Sequence, residues 1–255
     1  MWKGWCLLPL LCALVTAPAP AAGLRLVTGS DYAPFTGQDL PQGGMTTELV
    51  AAAFAAVGRP LEPVEFLPWR RGYEAVRDGA FDATFPYVDT PARRGEMLFS
   101  EPIYTTESWP VFREDRVRSY AGPESLAGLT LCQPVGYAVP ASLQPLIAAG
   151  QVHLVQPGSM RLCARQLFAG HIDFLITSTA LFNMLVRSEW TGNGPAAVLG
   201  DAPVGSNPFY LLVAKSNPQG PDILAALAAG LDRLRADGRY QAIVRRHLGM
   251  VLATQ

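Results

Sequence analysis

Leu24-Arg25-Leu26-Val27-Thr28, then 46–57, 61–67 and 70–77, then Phe81-Asp82-Ala83-Thr84-Phe85: the reading of this run decides the fold. The first segment alternates apolar and polar residues, as a half-buried strand does. Gly43-Gly44 opens a helical stretch from Thr46 to Val57, which Gly58 stops. Leu61 to Leu67 suits a second strand, ended by Pro68. A second helix is expected from Arg70 to Arg77, closed by Asp78-Gly79, and Phe81 to Phe85 forms a third short strand. Strand–helix–strand–helix–strand in this order calls for an α/β unit with a largely parallel sheet.

A similar alternation begins after Arg113. Strands are expected at 129–132, 152–155, 172–176 and 209–214, and helices at 140–149, 159–168, 179–187, 222–234 and 240–248. Pro110-Val111-Phe112 leaves the first unit, and Pro208 to Val213 has the look of a strand returning to it. The pattern of elements repeats, but no exact sequence repeat accompanies it. Two α/β units follow from pattern alone.

The chain has 255 residues and a formal net charge of −1, with no run of like charges. Nucleic acid and anionic membrane surfaces are therefore not the expected partners. Residues 1–22 carry Lys3, a short apolar run from Trp5 to Val15, and Ala19-Pro20-Ala21, the order of a cleaved secretory signal. Cys6 and Cys12 would leave with that signal, and Cys132 and Cys163 would remain. In an exported chain a single remaining pair favours a disulfide over two buried thiols.

Several spaced features together carry a resemblance. Tyr32-Ala33-Pro34-Phe35 follows the first strand, and Asp78-Gly79-Ala80-Phe81-Asp82-Ala83 follows the second helix. Thr90-x-x-Arg93 precedes Phe99-Ser100-Glu101-Pro102-Ile103-Tyr104. Ala169-Gly170-His171-Ile172-Asp173 lies mid-chain, and Asp237-Gly238-Arg239-Tyr240 precedes Leu248-Gly249. In this order they resemble the family 3 extracellular solute-binding proteins, the polar amino-acid receptors of ABC importers. The resemblance implies a two-lobe, type II periplasmic binding fold, each lobe a mixed, mostly parallel sheet flanked by helices. Lobe 1 would take 24–112 and 207–255, and lobe 2 would take 113–206. It also implies a periplasmic monomer that closes on a small polar ligand and docks on a membrane permease.

The same resemblance assigns ligand-binding residues. Arg93, six residues before Phe99, takes the place of the arginine that grips a ligand carboxylate, a task suited to a planar guanidinium. Arg94 would lie outside the site. Tyr32, Trp69 and Tyr87 would form aromatic walls, with Arg70 (or its neighbour Arg71) meeting a second acidic group. In lobe 2, Gly136-Tyr137-Ala138 stands where the family has a Gly-Thr/Ser loop before a helix, whose N–H groups receive an anion. Tyr137 replaces the small hydroxyl residue. Ser178 stands where amino-acid binders carry the aspartate that pairs with the ligand's ammonium group, and a hydroxyl cannot neutralise a cation. The carboxylate end is thus retained and the ammonium end weakened, unless Asp31 or Glu48 supplies the charge.

No nucleophile elbow, P-loop or dinucleotide fingerprint is present. His153, His171 and His247 lack metal-ligand spacing, so neither a metal nor a cofactor is expected. A binding protein is therefore expected rather than an enzyme. The alternatives are an accessory or sensor-partner protein of the same fold, or a dehydratase-like enzyme on it using Asp31, Glu48 or Glu74 as acid or base.

Overall fold

The computed structural model describes residues 23–253, so the expected signal segment, 1–22, lies outside the described residues. Strand β1 (Leu26–Thr28) pairs in parallel with β2 (Glu65–Phe66) on one side and β3 (Ala83–Tyr87) on the other. Helices α1 (Met45–Ala56) and α2 (Trp69–Arg77) provide the crossovers that parallel neighbours require. The expected strand 61–67 is shorter than its apolar pattern. Pro63 has no N–H to give a ladder, so Leu61 makes only an isolated bridge to Leu24, and regular pairing begins at Glu65.

Two long strands tie the halves of the molecule together. β5 (Tyr104–Arg113) and β10 (Gly205–Ala214) pair antiparallel over 104–108 and 205–209. Beyond that stretch they diverge. β10 continues against β3 and β4 (Met97–Phe99), while β5 continues against β8 (Phe174–Thr177) and β9 (Ala197–Leu199). β8 then pairs in parallel with β6 (Thr130–Cys132), and β6 with β7 (His153–Val155). Short helix α3 (Pro91–Glu96), β4 and β9 were not expected from the pattern. The helix expected over 140–149 is a 3-10 turn, Ala141–Leu143, followed by α4 (Gln144–Ala148). The break falls at Pro145, which has no N–H for a continuing helix.

Each half uses the same device to fix its strands. Gly79 (φ 80°) ends the turn after α2, and Asp82 then accepts from Arg25 N at 2.7 Å while its own N–H donates to Arg25 O at 2.8 Å. Gly170 (φ 74°) ends helix α5 (Met160–Phe168). Asp173 then accepts from Thr130 N at 2.8 Å, and its N–H donates to Thr130 O at 3.1 Å. The Gly-x-x-Asp signature in each half is thus a clip between its first and third parallel strands.

Alternation along β8 directs Phe174 and Ile176 into one cluster with Phe112, Leu126 and Leu143, and Leu175 to the opposite face against α5 and α6 (Thr179–Glu189). Cys132 faces the α5 side for the same reason. It is bonded to Cys163 of that helix, with Cα atoms 5.5 Å apart. On the other half, α7 (Gly220–Ala236) lies against α1. A Cβ at Gly230 would overlap the backbone of Ala53, so the two helices can approach this closely only through a glycine. α8 (Arg239–Ala253) completes this layer: Tyr240 donates to Ile103 O at 2.7 Å, and buried His247 meets Glu48 at 2.7 Å.

Candidate functional site

A cavity of about 390 Å³ opens between the two halves, at the level where β5 and β10 cross. Its walls join the end of β3 and the start of α3 to the loop after β6 and the end of β8. Crevices outside the carboxyl ends of strands are where open α/β sheets hold ligands.

Arg93 is the one cation in these walls among the described residues. Thr90 caps α3, its hydroxyl accepting from Arg93 N at 3.2 Å, and Pro91 presets the first turn. The Arg93 side chain then turns back across the Tyr87 ring, its guanidinium carbon 4.7 Å from the ring centre. One Nη donates to Val88 O at 2.8 Å and the other to Gly136 O at 2.9 Å, so a single side chain holds both walls. A guanidinium has five N–H donors, so three remain. Among the described residues no carboxylate pairs with Arg93, and burial pushes its pKa down. Arg94, by contrast, is exposed, does not line the cavity and forms an ion pair with Asp89.

The aromatic walls are present and continuous. Tyr32, Trp69 and Tyr87 are all at most 9% exposed and line the cavity. Tyr137 reaches across from lobe 2 and meets Tyr32 and Trp69 edge-on, with ring centres 5.5 and 5.8 Å away. Its hydroxyl donates to Asp31 O at 3.2 Å. Burial, with the Asp31 carboxylate as a secondary cause, pushes the Tyr137 phenol well above its ordinary value. Gly136 (φ 88°) sits so close to lobe 1 that an added Cβ would lie 2.8 Å from Trp69 Cβ. Asp31 accepts from Trp69 Nε1 at 2.5 Å, and burial raises its pKa.

Four sequence expectations find a different arrangement. Arg70 does not line the cavity: its side chain is 72% exposed and pairs with Glu74 at 2.9 Å. Arg71 is also exposed and outside the wall. Ser178 is buried but turned from the cavity, capping α6 by accepting from Leu181 N at 3.2 Å. The loop 136–138 is not a helix start. Tyr137 N–H donates to Pro134 O at 3.1 Å, and the 3-10 turn begins only after Pro140. Glu48, considered as a substitute charge, is engaged far from the cavity by Arg246 and His247 of α8.

Among the polar wall residues that the sequence reading did not single out are Gln133 and Thr177. Each ends an apolar strand, where the pattern reads only as core.

The sequence profile of the bacterial extracellular solute-binding proteins, family 3, matches residues 24–250. No curated protein sequence matches the chain. A histidine kinase sensor domain with similarity to periplasmic binding proteins superposes with TM-score 0.77 at 21% identity, covering 89% of this chain and 96% of the sensor. An amino acid ABC transporter substrate-binding protein from Streptococcus pneumoniae, solved with L-arginine, gives TM-score 0.70 at 18% identity, covering 90% and 95%. An ancestral amino-acid-binding protein, a precursor of cyclohexadienyl dehydratase, gives 0.69 at 19%, covering 89% and 95%. These likenesses establish the type II periplasmic binding fold. Residues 24–250 span nearly all of the described chain, and the chain belongs to the bacterial extracellular solute-binding proteins, family 3.

Proposed function

We propose that the protein is the periplasmic receptor of an ABC importer, closing its lobes on a small polar ligand that presents a carboxylate to Arg93. The observation that carries this reading is a partly buried guanidinium in a cleft wall, with no carboxylate partner among the described residues and N–H donors to spare. Burying a cation without a counter-charge is costly, and a ligand carboxylate offsets that cost with paired, charge-assisted hydrogen bonds. Tyr32, Trp69 and Tyr87 supply apolar walls for the rest of the ligand. Because the ligand touches both lobes, it favours the closed state by its differential affinity, the signal a permease reads. In this reading the receptor acts as a monomer.

A thermal-shift screen of carboxylates against the mature protein tests the proposal, since a ligand that binds only the folded state raises the melting temperature. Arg93→Ala is expected to abolish the shift. A shift that survives the substitution unchanged overturns the assignment.

The likeness to a histidine kinase sensor domain favours a second reading, a ligand receptor that reports to a sensor partner. Co-purification separates the two: a permease supports the first, a sensor kinase the second. A dehydratase role has less support, because the only acid in the cavity wall among the described residues, Asp89, is held by Arg94.

A further inference from the structure

We propose that Gln133 and Thr177 form a second recognition point that accepts a neutral hydroxyl or amide donor on the carboxylate ligand, in place of an ammonium group. This inference rests on the reading of the cavity as a carboxylate site. The two residues stand at the carboxyl ends of neighbouring parallel strands, β6 and β8, and both line the cavity. Each is 4% exposed. Gln133 Nε2 donates to Ala138 O at 3.3 Å. A carbonyl only accepts, so the amide cannot be turned over, and Gln133 Oε1 is fixed as an acceptor. Among the described residues, neither that oxygen nor Thr177 Oγ1 has a hydrogen-bond partner. Buried polar groups are nearly always satisfied, so two unpartnered, covered oxygens on side chains that line one cavity mark a place where a ligand donor fits after a small side-chain rotation.

The charges point to a neutral donor. Arg93 and Asp89 are the only charged side chains in the wall among the described residues, and Asp89 is already paired with Arg94. Ser178 caps α6, and Asp31 is held by Trp69 outside the wall. Among the described residues the cavity therefore presents one uncompensated positive charge and no unpaired carboxylate for an ammonium group. Tyr137 closes off the space beside Tyr32 and Trp69, which favours a short ligand.

Titration calorimetry on the mature protein tests this with isosteric pairs: L-lactate against L-alanine, L-malate against L-aspartate, and 2-hydroxyglutarate against L-glutamate. In a pair that binds, the hydroxy acid is expected to bind at least tenfold more tightly. Gln133→Leu should bring the ratio of hydroxy-acid to matching plain-acid affinity (propionate, succinate or glutarate), both measured on that variant, to within about twofold of one, so that any general loss of affinity cancels. Gln133→Glu, which adds the missing negative charge, should reverse the preference. Amino acids binding as well as or better than their hydroxy analogues overturn this inference and leave the carboxylate site standing. If no carboxylate of any class binds, the reading of the site itself falls.

Discussion

Tyr137 joins the lobes through protein contacts alone, so its replacement should change the shape of the ligand-free protein. Two edge-on aromatic pairs and one hydrogen bond connect this side chain to Tyr32, Trp69 and Asp31. Each aromatic pair contributes about 0.5–1.5 kcal/mol and the hydrogen bond about 1 kcal/mol, so together they favour apposed lobes by about 2–4 kcal/mol. At about 1.4 kcal/mol per factor of ten, Tyr137→Ser should shift the open–closed equilibrium toward open by about 30- to 700-fold. Small-angle scattering reads this directly. Ligand-free Tyr137→Ser is expected to show a larger radius of gyration than the ligand-free parent, and a saturating ligand should bring the two together. Tyr137→Phe, which keeps the rings and loses one hydrogen bond, should fall between them. Identical radii for parent and Tyr137→Ser without ligand would refute the claim that this side chain holds the lobes.

Three further outcomes follow from the geometry. Gly136→Ala places a Cβ 2.8 Å from Trp69 Cβ at a left-handed φ, so it should lower ligand affinity at least tenfold in calorimetry and also lower the melting temperature by a few degrees, since the strained backbone costs about 1 kcal/mol. The Cys132–Cys163 bridge closes a separation of 31 residues. Chain entropy then predicts that replacing both with serine costs about 3–4 kcal/mol, or about 7–15 °C of melting temperature by calorimetry, and reductant should do the same to the parent. Burial pushes the Tyr87 phenol up to about 12, and those of Tyr32 and Tyr137 also upward. The folded protein then holds protons that the unfolded chain releases. Their stabilising contribution is complete below about pH 10 and is lost as pH rises through the folded values, so denaturant midpoints should fall above pH 10. Absorbance of tyrosinate at alkaline pH should show these phenols ionising only on unfolding.

Much of the architecture was legible because its signals are local. Gly58 ended the first helix and Asp78-Gly79 the second, and the start of α5 agreed to one residue because Ser159 caps it. α3 carried an equally good signal, Thr90 followed by Pro91, but at six residues it gave no apolar periodicity to find. β9 is three residues long and gains its order from pairing with β5, which no local pattern encodes. The position of Arg93 in the cavity wall was legible through its spacing to Phe99, and those of Tyr32, Trp69 and Tyr87 through their places after strands and before helices. Arg70 and Ser178 were misplaced because spacing fixes a position along the chain, whereas an i,i+4 partner such as Glu74 or a helix cap decides where the side chain points. Gln133 and Thr177 were invisible because their function comes from what they lack, a hydrogen-bond partner, and only three dimensions show that.

The pairing of β3 with β10 has a consequence for the order in which this chain can assemble. The partner strand of Tyr87 begins at Gly205, and the helices that cover α1 come later still. The half built on β6, β7 and β8 is drawn from one uninterrupted stretch and has its own clip and covalent crosslink. As the polypeptide emerges from its amino end, that inserted half is complete first, while the older amino-terminal segments wait for the tail to arrive. A truncation that removes α7 and α8 therefore strips the earlier-made half of its cover, while the strands, clip and crosslink of the later-made half all remain in the chain.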